Sequence, residues 1–458
     1  MAAIVRINSL TINNIKCVKH GLINFKVSED LRDEKASVMG IYGQNGSGKT
    51  VVVEALSILK ALFSGERISD RYLDSIANGE NSASIYVELK VIEKEHTDYT
   101  AFYQCELEQR IDPNENDKSF IAVVSESLEV SGLINGTRFR KQTVAQTNEN
   151  EKLLSPKDKQ KLLFGSNRNE LKKLEQDKLL AFYGSRSFIF SNSMLEASSQ
   201  NSKHEFKTIM STIRFFAIVR LFVVGGETQQ DIPFPIYFVN EDAAGGSLGL
   251  ISFSFNSISV ISDEVFSELI KAIPSLNTAL QNVIPGLRID YKSRKVSLDE
   301  DSDDYEVELF AEKDSGVLLP LRHESLGTKK IVSFLSLFIA AYNNPKVVLV
   351  VDEFDSSIFE FLLGELVSVI NTTGKGQFIF TSHNLRPLEK LGDESICFTT
   401  TDPMDRYKTV KIKATNNLRD VYFRLISLGD DNFELYNGES KNALAYAFWQ
   451  AGGGAIDG

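Results

Sequence analysis

Hydrophobic and polar residues alternate along "AIVRINSLTI" near the start of the chain, and "LINFKV" resumes the alternation after a short break. A period of two marks half-buried strands. The stretch "SVMGIYG" (37–43) is instead a continuous apolar run ending in glycine, the pattern of a strand buried on both faces. From Thr50, "TVVVEALSILKALF" places apolar residues at helical spacing, after which "ASIYVELKVIE", "YTAFYQCELEQ" and "SFIAVVSESLEV" predict an antiparallel meander. Beyond residue 146, "QTNENEKLLSPKDKQKLLFGSNRNELKKLEQDKLLAFY" is rich in Lys, Glu and Leu and predicts helix, with a more apolar helix over 205–224. Two β-type stretches, a helix at "DEVFSELIKAIPSLNTAL" and strands at "LRIDYKSRKVSL" and "YEVELFAEK" fill the span to about residue 313. Helix and strand then alternate: a helix from Gly327, the strand "KVVLVV", the helix "FEFLLGELVSVI", and strands at "QFIFTSHN" and "SICFTT". This order predicts an α/β fold. No internal repeat and no sustained heptad pattern is present, so any helical arm in the middle is short.

Composition narrows the class. The 458 residues are 42% hydrophobic and 24% charged, ordinary for a globular protein of two or three domains. The net charge of −12 argues against a protein that coats nucleic acid non-specifically, because phosphate binding needs clustered Lys and Arg. Cys17, Cys105 and Cys397 stand apart from one another, without metal-ligand spacing, and are expected to be reduced thiols. The N-terminal residues lack the pattern of a signal peptide, and no apolar run reaches the length of a membrane span. A soluble, cytoplasmic protein is expected. The acidic run "DEDSDDYE" (299–306) reads as a solvated hairpin loop in preference to a metal site.

Candidate chemistry concentrates in short segments. "GQNGSGKT" (43–50) matches the phosphate-loop pattern GxxxxGK[ST] between a buried strand and a helix. Gly43, Gly46 and Gly48 let backbone N–H groups turn inward around a phosphate, and the helix N-terminus adds positive partial charge. Lys49 would reach the β- and γ-phosphates of ATP, and the Thr50 hydroxyl would bind Mg²⁺. "KVVLVVDEFD" ends a buried strand in Asp352 and Glu353; Asp352 suits the Mg²⁺ shell and Glu353 the general base that activates water. His383, just beyond "FIFTS", fits a γ-phosphate sensor, whereas His20, His96, His204 and His323 form no cluster. Ser325 in "HESLGTKK" opens a helix, and its hydroxyl with free amides could hold an anion or simply cap its own helix. Lys329 and Lys330 add charge there or face solvent.

"GQNGSGKT", "SLGT", "VVLVVDEFD" and "TSHN", in that order, resemble the ABC-type ATPase heads of the SMC, RecF and OLD group. Asn45 and an N-terminus like "LTINNIKCVKHGLINF" are typical of that branch. "ESLGTKK" and the modest middle insertion look like ATPases of bacterial anti-phage and abortive-infection systems, the PARIS system among them. The resemblance implies a P-loop ATPase head with a mixed sheet, flanking helices and an N-terminal antiparallel sheet. A mixed helical and β insertion would separate Walker A from the signature motif. It implies a nucleotide site at Gly43, Asn45, Gly46, Ser47, Gly48, Lys49 and Thr50, with Lys49, Glu353 and His383 catalytic and Thr50 and Asp352 at Mg²⁺. Ser325 and Gly327 would be the signature, contacting the γ-phosphate held by a second subunit, with Thr328 in the place usually held by Gln or Glu. Asp355 would be the D-loop residue. The glutamine expected to touch Mg²⁺ has three candidates, Gln142, Gln146 and Gln200, none in a clear motif. The "LHP" of OLD-type relatives is missing after "DEFDSS".

One phosphate loop and one signature per chain imply a homodimer sharing its ATP molecules, with room for higher assembly. The expected domains are an ATPase N-terminal lobe (1–145), an insertion or lid (146–315), an ATPase C-terminal lobe (316–420) and a tail (421–458). The tail is short for a nuclease, and "GDDN" (429–432) reads as an isolated turn, so a separate toxin or nuclease effector is implied. The expected function is a dimeric nucleotide switch that controls this effector in anti-phage defence, triggered by DNA or a phage protein. The alternative is a RecF- or SMC-like repair ATPase that clamps DNA, for which the Lys-rich stretch 152–178 is the local support. A transporter subunit is disfavoured by Asn45, the insertion and the lack of a membrane segment. Trp449, in an aromatic C-terminal helix, is expected to pack onto its own domain.

Overall fold

The computed structural model describes residues 3–93, 97–112, 118–134, 136–155, 157–164, 168–200, 204–225, 233–240, 247–255, 257–296, 304–313, 316–356, 358–410, 418–420, 422 and 441–451. Two six-stranded sheets carry the architecture. The first is antiparallel throughout, in the order Val18–Asn24, Ile4–Ile15, Ser82–Ile92, Asp98–Asp112, Lys118–Ile134, Thr137–Asn148. Its alternating burial is clearest in Ser82–Ile92, where Ala83, Ile85, Val87, Leu89 and Val91 face the core.

The second sheet runs Tyr407–Lys408, Ile396–Thr399, Ser37–Tyr42, Gln377–Thr381, Val348–Val351, Leu221–Val224. All its neighbours are parallel except the pair Ile396–Thr399 and Tyr407–Lys408. Both faces are covered, which is why its strands read as unbroken apolar runs. Met39, Ile41, Val348, Val350 and Ile379 face the core shared with the helix Lys49–Ser64 and the antiparallel sheet. Val38, Tyr42, Leu349, Val351, Phe378 and Phe380 face the opposite core, with the helices Leu326–Asn343 and Glu360–Thr373. The buried Gln377 side chain joins the two sheets: its amide donates to the Ile7 carbonyl at 2.8 Å and its oxygen accepts from the Ile7 N–H at 2.9 Å. The pairing slips at Ile7, where a bulge leaves this backbone to be satisfied from outside its own sheet.

Several expectations change. The apolar helix expected over 205–224 ends at Val219, and Leu221–Val224 is the outer strand beside Val348–Val351. An apolar run shorter than two helical turns carries no usable period, and only the partner strand decides its conformation. Residue 146 falls inside the strand Thr137–Asn148. Leu153, Phe164, Leu174, Phe190, Ile209 and Ile213, all beyond it, share one core with Ile12, Val52 and Tyr103. A third core lies between the long helix Asp263–Val283, the strands Leu287–Val296 and Asp304–Lys313, and Val332 and Leu335 of the helix Leu326–Asn343. Residues 299–303 of the acidic run and all of 429–432 lie outside the described residues, as does His96. In the helix Lys441–Ala451, Phe448 is 74% and Trp449 50% exposed, against the expectation that Trp449 is packed onto its own domain. Its indole lies beside Tyr446 of the same helix.

Among the described residues no helix is long and apolar enough to cross a membrane. Cys17, Cys105 and Cys397 are free thiols.

Candidate functional site

Parallel pairing places the C-terminal ends of Ser37–Tyr42, Gln377–Thr381, Val348–Val351 and Leu221–Val224 at one edge of the sheet. In open α/β sheets ligands bind outside that edge. The segment 43–48 turns there from strand to helix, with φ of 74° at Gly46 and 98° at Gly48, the N-cap of Lys49–Ser64. Gly43 is required by space: a Cβ there would meet Thr399 Oγ1 at 1.7 Å. The loop leans on the strands beside it. Ser47 Oγ lies 2.5 Å from Thr399 Oγ1, Thr399 donates to the Tyr42 carbonyl at 3.2 Å, and Tyr407 donates to the Gly48 carbonyl at 2.8 Å. The buried Lys49 ammonium donates to the carbonyls of Gly43 and Gln44, both at 2.8 Å. Burial holds Lys49 below its ordinary pKa, and the charges of Asp352, Asp355 and Glu353 oppose that shift. Asn45 and Thr50 are exposed at the mouth of the loop.

Asp352 and Glu353 follow Val351 directly. Asp352 Oδ1 accepts from Thr381 Oγ1 at 2.5 Å and from Thr50 Oγ1 at 3.4 Å. Two oxygens sharing one octahedral Mg²⁺ stand about 3 Å apart, so Thr50 and Asp352 fit a common hard cation. Among the described residues no group of three His, Cys, Asp or Glu could hold a metal, so a cation at Thr50 and Asp352 would need further ligands from outside that set. Glu353 has φ 47° and is exposed. His383 is held below its ordinary value of 6.5 by burial and then by the Lys49 charge, while Asp355, Glu353 and Asp352 oppose the shift. Asp355 Oδ2 accepts from the backbone N–H groups of His383 and Asn384 at 3.0 and 2.9 Å. The fold thus gathers Lys49, Thr50, Asp352, Glu353, Asp355 and His383 within one electrostatic neighbourhood.

Ser325 and Gly327 are not part of it. Ser325 is exposed, caps its own helix by accepting from the Thr328 N–H at 3.1 Å, and pairs with Thr328 Oγ1 at 2.9 Å. No hydrogen bond among the described residues joins Ser325 or Gly327 to residues 43–50. Neither following lysine faces solvent freely. Lys329 is 8% exposed and donates to the Arg322 carbonyl at 2.7 Å, and Lys330 donates to Ser356 Oγ at 2.9 Å, tying this helix to the segment after Glu353. The glutamines Gln142 and Gln146 stand on the outer strand Thr137–Asn148, and Gln200 ends the helix Asn192–Gln200.

Four further residues shape the site without having announced themselves. Thr381 and Thr399 belong to strands that read only as buried β structure, and Tyr407 to a short strand, Tyr407–Lys408, that the sequence pattern did not predict. Gly225 ends the outer strand, where a Cβ would lie 2.6 Å from that of Asp352. The available signal was a small or polar residue at the end of each apolar run.

Residues 9–232 match a family model described as an AAA domain. Residues 229–388 match a second, described as an AAA domain, putative AbiEii toxin, type IV TA system. No curated protein matches the chain. Among solved structures, the SMC head domain from Thermotoga maritima is similar at 15% identity and a TM-score of 0.35, covering 89% of this chain and 100% of that one. The SMC head domain with a coiled coil and joint from Pyrococcus yayanosii is 10% identical with a TM-score of 0.43, covering 92% and 99%. The recombination mediator protein RecF of the RecFOR pathway is 13% identical with a TM-score of 0.37, covering 88% and 98%. Residues 9–232 and 229–388 are thus each similar to an AAA domain, in a chain whose fold is α/β with mixed sheets and flanking helices.

Proposed function

We propose that the chain binds ATP at residues 43–50 and hydrolyses it as a dimer that acts as a nucleotide switch over a separate effector in anti-phage defence. The observation that carries the ATPase reading is the Lys49 ammonium, desolvated and cradled by the loop's own carbonyls, opposite Asp352, Glu353 and Asp355. Lys49 and the inward amides would hold the phosphates, with Asn45 and Ser47 completing the loop. Thr50 and Asp352 would hold Mg²⁺, which when bound neutralises charge developing on the phosphate oxygens. Glu353 would take the proton of the attacking water, and neutral His383 would donate to the γ-phosphate. Ser325 and Gly327, which no described hydrogen bond joins to their own loop, would serve the loop of a second copy. The defence role is supported by the second AAA description, which names a putative toxin of a toxin–antitoxin system.

Glu353→Gln is the test. It should retain ATP binding, lower turnover about 100-fold or more, and accumulate ATP-bound dimers on size-exclusion chromatography. Wild-type turnover would refute Glu353 as the base. The competing reading, a DNA-clamping repair ATPase, draws on exposed Lys157, Lys161, Lys172 and Lys173 in the helices of 157–183. Strong, salt-sensitive stimulation of turnover by duplex DNA would favour it over the effector switch.

A further inference from the structure

We infer that Thr381 is the residue that positions both acids of the site, fixing the Asp352 carboxylate and the backbone of Glu353 through a single hydroxyl. The inference rests on the ATPase reading above and concerns how the base is held.

Thr381 is 1% exposed and ends the strand Gln377–Thr381, which lies between the strand that enters the phosphate loop and the strand that leads into Asp352. Because Val351 pairs with Phe380, the next residues along, Asp352 and Thr381, come level just past the ladder. The hydroxyl donates its one proton to Asp352 Oδ1 at 2.5 Å and accepts the Glu353 N–H at 2.8 Å. A hydroxyl has one donor and lone pairs to spare, so both capacities are used in a defined direction. The Thr381 carbonyl adds a third tie by accepting the Phe354 N–H at 2.9 Å. These bonds converge on the turn where Glu353 adopts φ 47°, a left-handed conformation that is uncommon for a residue with a Cβ and persists only where its surroundings enforce it.

The chemical consequence concerns aim. Asp352 carries the Thr50 contact on the same oxygen that Thr381 grips. Glu353 is exposed, and its backbone is held at the N–H by Thr381 and at the carbonyl by the Ser356 N–H at 2.8 Å. Without the hydroxyl, the Glu353 turn can relax toward an ordinary conformation and swing the carboxylate away from the water it must deprotonate. Nucleotide affinity, set by the phosphate loop, would remain. Serine retains the required group; valine matches the shape and removes it.

The test compares Thr381→Val, Thr381→Ser and Glu353→Gln in the full chain, reading kcat and KM for ATP and the binding of a fluorescent ATP analogue. Thr381→Val should lower kcat by about 10- to 100-fold with KM and analogue affinity unchanged, and Thr381→Ser should stay within about threefold of wild type. Adding Thr381→Val to Glu353→Gln should cost less than Thr381→Val does alone, since one of the two positioned acids is already disabled. Wild-type kcat in Thr381→Val, alongside collapse in Glu353→Gln, would overturn the inference while leaving the ATPase reading intact. Wild-type kcat in Glu353→Gln would instead strike at the reading itself. If Thr381→Val fails to fold on thermal denaturation, Thr381→Ser decides alone: near-wild-type kcat supports the hydroxyl's role, and a large loss overturns it.

Discussion

At the scale of single residues, the site's character comes from a cation placed where water is scarce. Lys49 and His383 each feel the other's surroundings: three acids favour their charged forms, and burial disfavours them. For His383 burial prevails and the Lys49 charge adds to it, so its folded pKa lies below 6.5. The neutral imidazole is therefore favoured over the charged form, and lowering the pH is what restores the proton. An NMR titration of the free protein should place His383 below its ordinary value, and Lys49→Ala should move it upward by removing the neighbouring charge. No upward movement would show that Lys49 is not the electrostatic partner. Lys49, Thr50, Asp352, Glu353 and His383 were all legible in the sequence because their spacing encodes the chemistry. Thr381, Thr399 and Tyr407 were not, because their partners lie far away along the chain, as with Thr399 and Ser47.

Among the elements, the antiparallel sheet is joined to the helical region by a carboxylate the sequence did not single out. Glu126, 2% exposed, accepts from Tyr103 Oη at 3.0 Å, Ser187 Oγ at 2.6 Å, Phe188 N at 2.7 Å and Ile189 N at 3.1 Å. Burial raises its pKa, and the four donors oppose that rise. The strand Lys118–Ile134 thereby grips the turn 187–190, whose Phe190 packs against Phe63 of the helix that follows the phosphate loop. Glu126→Ala should cost about 3 kcal/mol of stability by leaving buried donors without an acceptor, measurable as a lowered denaturation midpoint at unchanged slope. A loss below about 1 kcal/mol would mean that those donors find other acceptors. In sequence, Glu126 is one acid in "SESLEV", where alternation alone would put a charged residue on either face.

Across the whole molecule, the widest consequence follows from the proposal that Ser325 serves a neighbour's phosphate loop, since its described hydrogen bonds go only to Thr328 of its own helix. A site completed by a neighbour predicts complementation. Lys49→Ala and Ser325→Arg chains should each be inactive, and mixing them should recover up to roughly a quarter of wild-type turnover, since random pairing makes half the dimers mixed, each with one intact site. No recovery, with mixed dimers shown to form, would argue for a site complete within one chain. Lys330, bonded to Ser356, would then link the helix serving the neighbour to the segment next to Glu353 in its own site.

The sequence by itself brought out the glycine-rich loop 43–50, the acid pair 352–353 and His383 as candidates, because each sits where an apolar run stops, and strand ends in a parallel sheet share one edge. It also determined which segments are strands buried on both faces. Tertiary structure alone decided that "LFVV" is a strand, that residues beyond 146 build the same core as the N-terminal sheet, and that Lys329 is buried. Those outcomes depend on which surface a segment meets, and pairing partners distant in the chain leave no periodicity within the segment itself.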